Sequence, residues 1–316
     1  MRVLVTGGAG FIGSNVVDRM LAHGHEVYVV DDLVTGKLPN LDEARRNRVK
    51  FHRFDIRSEG FGDLVPQVEP EVVLHLAAQA SVAASVADPI LDAQTNIIGL
   101  LRVLDACVAA RVRKIVFAAS GGTIYGVQKK FPIPETAMGR PISPYGITKR
   151  AAEDYLRFYS SEFSLDFTSL ALANVYGPRQ DPYGEGSVIA IFANKLVRGE
   201  APTINGDGEI TRDYVYVDDV AHAFVKACDQ ASGETVNIAT GRETTINELF
   251  KVMAEAAGYA GEAIYGPLRP GDVPRNALDP SKAARVLEWE PWTSLTEGVE
   301  QTVSWFAQSA PPVTPR

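Results

Sequence analysis

The sequence predicts an α/β protein built on a doubly wound parallel sheet, followed by a smaller C-terminal region. Three observations predict it. Strand-length apolar runs alternate with helical patterns through the first half of the chain. A buried-strand pattern at Val3–Val5 runs into a glycine turn and then into an apolar-periodic helix through Phe11, Val16, Met20 and Leu21. A second apolar strand, Glu26 to Val30, ends on two carboxylates, Asp31 and Asp32.

The glycine turn reads TGGAGFIGS, with GxxGxxG spacing at Gly7, Gly10 and Gly13. Gly7 suits a tight turn, Gly10 lets a pyrophosphate approach the backbone, and Gly13 lets the helix pack close to the strand. The helix N-terminus, at Phe11 and Ile12, then faces the phosphates. Asp31 follows Gly7 by 24 residues, near the ~20 expected for an acid that hydrogen-bonds an adenosine ribose. Such an acid accepts a 2′-hydroxyl and repels a 2′-phosphate, so NAD is expected rather than NADP. These features predict a Rossmann dinucleotide-binding domain.

Candidate strands follow at Arg2–Thr6, Glu26–Val30, Lys50–Phe54, Glu71–Leu76, Arg113–Ala118 and Asp166–Leu170, with helices at Phe11–His23, Pro89–Ala110 and Pro144–Phe163. From about Asn174 the pattern loosens into short elements punctuated by Pro and Gly. We expect an NAD-binding domain over residues 1–173 and a mainly substrate-binding region over 174–316. The two are expected to interleave, with part of 211–245 returning to the sheet.

Composition narrows the function classes. With 316 residues, 46% of them hydrophobic, the chain can bury a sizeable core. No apolar run reaches the ~18 residues of a membrane span, and the first strand begins at residue 2, leaving no room for a signal peptide. The two cysteines, Cys107 and Cys228, form neither a disulfide framework nor a metal spacing and are expected to be buried thiols. A soluble cytoplasmic protein without a metal is the expectation. A net charge of −8 argues against general nucleic-acid binding, so an anionic ligand would need locally placed arginines.

The reaction chemistry is written at the strand ends. Strand KIVFAAS delivers Ser120 to the carboxyl edge of the sheet, where open α/β sheets bind ligands. Pro144 suits the first turn of a helix, and Tyr145 and Lys149, four apart, share one face of it. An ammonium beside a phenol favours the phenolate, as would a nearby nicotinamide cation. Tyr145 is therefore a candidate general base toward a substrate hydroxyl, with Ser120 as a hydrogen-bonding relay.

These residues, with HLAAQ (75–79), SGGTIYG (120–126), SPYGITK (143–149), NVYGPRQDP (174–182), TRDYVYVDDV (211–220) and RPGD (269–272), resemble the extended short-chain dehydrogenase/reductases along nearly the whole chain. Within that family the chain is similar to the NAD-dependent UDP-sugar 4-epimerases. The resemblance implies transient oxidation at sugar C4: Tyr145 takes the 4-hydroxyl proton, the hydride passes to NAD, and it returns to the opposite face. UDP-galactose and UDP-glucose are the implied pair. It further implies an adenine contact at Asp55 with Ile56 beside it, backbone cover from Ala77, Ala78 and Gln79, and a polar contact near the nicotinamide from Asn96. On the substrate side it implies a diphosphate site at Asn174, Arg212 and Arg269, with Asp272 on the UDP ribose.

Three departures from the family pattern bear on substrate. The SGGTIYG loop carries one residue more than a common SSATVYG form, so Ser120 competes with Gly121 for the catalytic place; we take Ser120, with Thr123 as a second sugar-facing hydroxyl. Leu172 stands where tyrosine is common. Asn276, four after Asp272, stands where a large tyrosine restricts some members, so N-acetylated UDP-hexosamines are also expected to fit. Sugar 4,6-dehydratases usually carry Asp-Glu after the catalytic Ser/Thr, and UDP-glucuronate decarboxylases a Glu in that loop, whereas Gly121, Gly122 and Thr123 stand here. A UDP-glucuronate 4-epimerase stays open through Arg179 or another cation, and a non-catalytic NAD-sensing protein is the rival from another class. Apolar residues on several faces of the two long helices, including Ile97, Ile98, Leu101, Leu104, Leu156 and Phe158, together with the family habit, suggest a homodimer.

Overall fold

The structure is a computed structural model that describes residues 1–183, 188–268 and 273–309. The strands are β1 (Arg2–Thr6), β2 (Glu26–Asp31), β3 (Lys50–Arg53), β4 (Val72–His75), β5 (Lys114–Ser120), β6 (Asp166–Leu172), β7 (Asn174–Tyr176), β8 (Thr203–Asn205), β9 (Thr211–Arg212), β10 (Tyr214–Tyr216), β11 (Glu234–Ile238), β12 (Thr244–Thr245) and β13 (Ile264–Gly266). Seven of them form one parallel sheet in the order β11-β6-β5-β4-β1-β2-β3. The order runs outward in both directions from β1 and β4, so the topological switch point lies between these two strands. The carboxyl ends of the strands at such a point are the place where open α/β sheets take ligands.

The helices are α1 (Phe11–Ala22), α2 (Asp42–Arg46), α3 (Phe61–Val68), α4 (Val82–Ala87), α5 (Pro89–Ala93), α6 (Gly99–Ala109), α7 (Pro144–Phe163), α8 (Val188–Leu196), α9 (Val217–Ala227), α10 (Ile246–Ala257), α11 (Ser281–Val286) and α12 (Leu295–Ser309). Local chemistry sets the ends of α7. Ser143 accepts a hydrogen bond from the Gly146 N–H at 3.2 Å and Pro144 follows as the first helical residue. One expected helix is divided. Pro89–Ala110 consists of α5, a π-helical turn at Gln94–Ile98, and α6. A wide turn of this kind swings its side chains out of the α register, and apolar periodicity alone does not reveal it.

Two apolar cores result. The larger lines both faces of the central sheet and takes in Leu278, Ala283, Leu287 and Trp289 from late in the chain. The smaller joins α8, α10 and α12 through Ile189, Phe192, Leu249, Met253, Val303 and Phe306. Both cysteines are buried free thiols. Of the apolar residues expected to reach a partner, Leu104 and Leu156 belong to the larger core, because their faces of α6 and α7 pack on the sheet. Ile98 and Phe158 are about half exposed, at 48% and 51%.

Asp213, fully buried between β9 and β10, fastens the C-terminal region to the sheet. Its carboxylate accepts from the Thr240 N–H (2.9 Å), the Thr240 hydroxyl (2.6 Å), the Gly241 N–H (2.9 Å) and the Leu278 N–H (3.2 Å). These donors follow β11 and flank the return toward α11. Removing the acceptor leaves several buried donors without a partner. Asp213→Ala is therefore expected to cost about 3 kcal/mol, read as a lower urea midpoint at unchanged slope; an unchanged midpoint contradicts this account of the fastening.

Candidate active site

The glycine turn sits at the switch point. Gly7 has φ +70°, and a Cβ on it would lie 2.6 Å from the Ala77 nitrogen, so the turn after β1 and the loop after β4 touch backbone to backbone. A Cβ on Gly13 would lie 2.1 Å from the Gly7 carbonyl oxygen, which explains how close α1 comes to the turn. No side chain caps the N-terminus of α1, whose Ncap is Gly10. Its first N–H groups, around Phe11 and Ile12, can therefore serve an anion at the positive end of the helix dipole.

Asp31 ends β2 with its carboxylate held in place. Oδ2 accepts from the Ala9 N–H at 2.9 Å and Oδ1 from the Leu33 N–H at 2.8 Å. A carboxylate has about four acceptor sites, so two remain for a diol. Asp32 accepts from the Val34 N–H at 3.0 Å. Asp55 forms an ion pair with Arg57 at 2.7 Å, which holds its carboxyl below the usual range, and Ile56 is buried against Gly99.

At the next strand edge Ser120, Tyr145 and Lys149 converge. The Ser120 side chain hydrogen-bonds the Tyr145 hydroxyl. Lys149, 3% exposed, donates from Nζ to the Ala118 carbonyl at 2.9 Å and lies 4.6 Å above the Phe117 ring. Gly121 donates its N–H to the Leu172 carbonyl at 2.9 Å, and a Cβ on it would meet Leu278 at 2.2 Å. His75, ending β4, shares a 2.7 Å hydrogen bond with Thr6 Oγ1 and is held neutral by burial, its pKa pushed down to about 3.

One expectation is overturned. The ammonium was expected to draw Tyr145 toward the phenolate, but burial dominates and pushes Tyr145 up to about 12, although the Ser120 hydrogen bond pulls the other way. Burial likewise pushes Lys149 down to about 8. Removing both groups from water penalises both charges, and four-residue spacing carries no information about that.

A family profile described as GDP-mannose 4,6 dehydratase matches residues 4–302. A UDP-glucose 4-epimerase of Mycolicibacterium smegmatis is 46% identical over 308 residues, 97% of this chain and 98% of the relative. The crystal structure of a Thermotoga maritima UDP-glucose 4-epimerase with UDP-glucose is 50% identical, with a TM-score of 0.95 over 98% of this chain and 99% of that one. The Thermus thermophilus UDP-glucose 4-epimerase in complex with NAD is 44% identical, with a TM-score of 0.92 over 98% of this chain and 100% of that one. The chain belongs to the extended short-chain dehydrogenase/reductase family, in its UDP-sugar 4-epimerase branch.

In this epimerase-family fold the loop after β4 is anchored by a residue on the π turn. Asn96 accepts from the Gln79 N–H and donates to the Gln79 carbonyl, both at 2.9 Å, imitating a strand pairing. Ala77 and Ala78 precede Gln79 on the same loop, and the Ala77 N–H donates to Thr6 Oγ1 at 3.3 Å. Two further members of this buried network, Asp92 and Thr148, were missed. Asp92 lies four before Asn96 and Thr148 lies between Tyr145 and Lys149. Helical spacing from those residues is the signal that could have found them.

The residues expected to meet the substrate stand on β7, on β9 and in the loops after β5 and β13. Thr123 Oγ1 donates to the Ser120 carbonyl at 3.3 Å. Asn174 opens β7, with its amide oxygen 4.0 Å from where a Cβ on Gly122 would stand. The Arg212 guanidinium donates to the Thr211 and Val273 carbonyls at 2.8 and 2.7 Å. Asn276 is 3% exposed, and among the described residues its Oδ1 has no hydrogen-bond partner. Arg269 and Asp272 lie outside the described residues. Arg179 pairs through one nitrogen with Asp18 of α1 at 2.6 Å, and among the described residues its Nη1 is buried without a partner.

The overturned expectation is measurable. In the ligand-free protein, the ultraviolet difference between wild type and Tyr145→Phe is expected to show no tyrosinate from Tyr145 until the pH approaches about 12. A tyrosinate signal from this residue at pH 9 would contradict the dominance of burial.

Proposed function

We propose that this chain catalyses the NAD-dependent 4-epimerisation of UDP-galactose and UDP-glucose. The observation that carries the reading is the Ser120–Tyr145 hydrogen bond at the edge of the sheet, beside buried Lys149 and two strands from the glycine turn, with β4 between. The uncapped N-terminus of α1 and the two remaining acceptor sites of Asp31 suit a dinucleotide with an unphosphorylated ribose. Bound NAD supplies a hydride acceptor and donor at sugar C4.

The chain's own residues supply proton handling and restraint. Tyr145 takes the 4-hydroxyl proton at its phenolic oxygen and gives it back. Ser120 bonds the same sugar oxygen and keeps the phenol aimed, while the Lys149 charge favours the phenolate. Gln79, held by Asn96, closes the crevice over the cofactor. Asn174 and Arg212 hold the diphosphate, joined by Arg269, with Asp272 on the UDP ribose; a tethered diphosphate lets the ketosugar turn over without leaving. Cofactor regeneration within the site makes repeated exchange of NAD unnecessary. Elimination and decarboxylation lack their acids, since Gly121, Gly122 and Thr123 occupy that loop.

Asn276 supports a broader substrate range. A buried side chain with an unpartnered acceptor, smaller than tyrosine, suits a sugar carrying an N-acetyl group. The pairing of Arg179 with Asp18 weighs against a uronate carboxylate at that cation.

Incubated with UDP-galactose and no added cofactor, the purified protein is expected to produce UDP-glucose to an equilibrium mixture by NMR, and UDP-N-acetylgalactosamine to epimerise as well. Tyr145→Phe should lower kcat by roughly 10²–10⁴-fold while retaining NAD. No conversion even with NAD supplied would remove the proposal, and a variant that keeps cofactor-dependent partner binding would favour a sensor.

We further propose a homodimer through α4–α7. Val86 (64%), Ile90 (69%), Ile98 (48%) and Phe158 (51%) are exposed on these helices, a concentration of apolar surface that a second copy would cover. Light scattering should report a dimer for wild type and a monomer for Ile98→Glu with Phe158→Glu; a monomeric wild type would refute it.

A further inference from the structure

Behind the proton-transfer group lies a carboxylate that the proposed reaction does not use. Asp92, near the end of α5, is fully buried. Its Oδ1 accepts from Gln79 Nε2 at 2.8 Å and from Asn96 Nδ2 at 3.0 Å, and its Oδ2 accepts from Thr148 Oγ1 at 2.8 Å. The same hydroxyl lies 3.0 Å from the Tyr145 carbonyl, one turn earlier on α7, so its single proton is shared between the two acceptors. One carboxylate therefore joins three things: the loop that covers the cofactor, the π turn, and the helix carrying Tyr145 and Lys149. All three donors are neutral, and burying a carboxylate among neutral groups is costly even when every bond is made. An amide or hydroxyl would satisfy much the same geometry at lower cost, so the charge itself calls for a reason.

The reason is what that charge faces. Its field acts on Tyr145 and on Lys149 alike, opposing the phenolate and favouring the ammonium. The other titratable groups around Lys149 are Tyr145 on its own helix and His75 on β4, and His75 is neutral. Charge at this spot moves both ionisations in the same direction.

We propose that Asp92 is a positioning residue that clamps the Gln79 loop to the proton-transfer helix and places a negative charge behind Tyr145 and Lys149. The inference rests on the proposed roles of Tyr145 and Lys149. A neutral side chain in its place lets the phenol ionise earlier and lets the ammonium lose its proton earlier. Both limbs of the pH profile then move toward acid together. A purely structural residue would lower the amplitude and leave the limbs where they are.

The test is Asp92→Asn, measured as the pH dependence of kcat/KM for UDP-galactose. Both limbs are expected to shift down by about one pH unit. The tyrosinate absorbance of the NAD-bound protein, taken against the same protein carrying Tyr145→Phe, should shift equally. Reduced turnover with unmoved limbs and an unmoved tyrosinate titration would overturn the proposal. Should Asp92→Asn not accumulate folded, Asp92→Ser removes the same charge with less bulk and is read by the same two measurements. A wild type that converts no UDP-sugar would defeat the proposed function instead, and the tyrosinate titration, which needs no turnover, would still decide the role of Asp92.

Discussion

The buried ammonium of Lys149, hydrogen-bonded to the Ala118 carbonyl two residues before the end of β5, is the contact on which the site depends. It fixes the rotation of α7 against the sheet edge and thereby points Tyr145 at Ser120. A buried lysine is tolerated only where its charge is compensated. Here the compensation is distributed over a strand carbonyl, the face of Phe117 and the more distant field of Asp92. The fold works to keep water away from a pair of ionisable groups that would be unremarkable on a surface helix.

The rest of the architecture serves that requirement. The switch point lies between β1 and β4, and Gly7 lets the two strand-end loops meet without side chains between them. The loop after β4 is held by Asn96, whose position off the α register comes from the π turn. On the opposite side, Asp213 fastens the C-terminal region so that Arg212 and Asn174 come near the same edge of the sheet. Fold and chemistry are coupled through buried acceptors, each with several backbone or side-chain donors.

What was legible in the sequence is what local chemistry determines. The ends of α7 follow from Ser143, Pro144 and the helix pattern, and the start of α1 follows from the glycines. The pairing of Ser120 with Tyr145 was legible because a strand end and a helix start each announce themselves. The interruption of Pro89–Ala110 was not, since a π turn leaves apolar periodicity nearly intact. Asp92 and Thr148 stand at helical spacing from Asn96 and Tyr145, but the bond that joins them spans 56 residues; the partners of Asp213 are 27 to 65 residues away, and no single segment shows that a carboxylate will be buried. The direction of the Tyr145 shift failed for the same cause, since spacing reveals a neighbouring charge but not the loss of solvent.

The central claim is that one site removes a hydride from sugar C4 and returns it to the same carbon, with the chain handling only the proton. UDP-galactose deuterated at C4 tests it most directly. The account predicts UDP-glucose that retains deuterium at C4 when the reaction runs in ordinary water with unlabelled NADH in the medium. Loss of the label to solvent or to the added cofactor would contradict it, because either requires a proton abstraction at carbon or an exchanging cofactor that this arrangement does not provide.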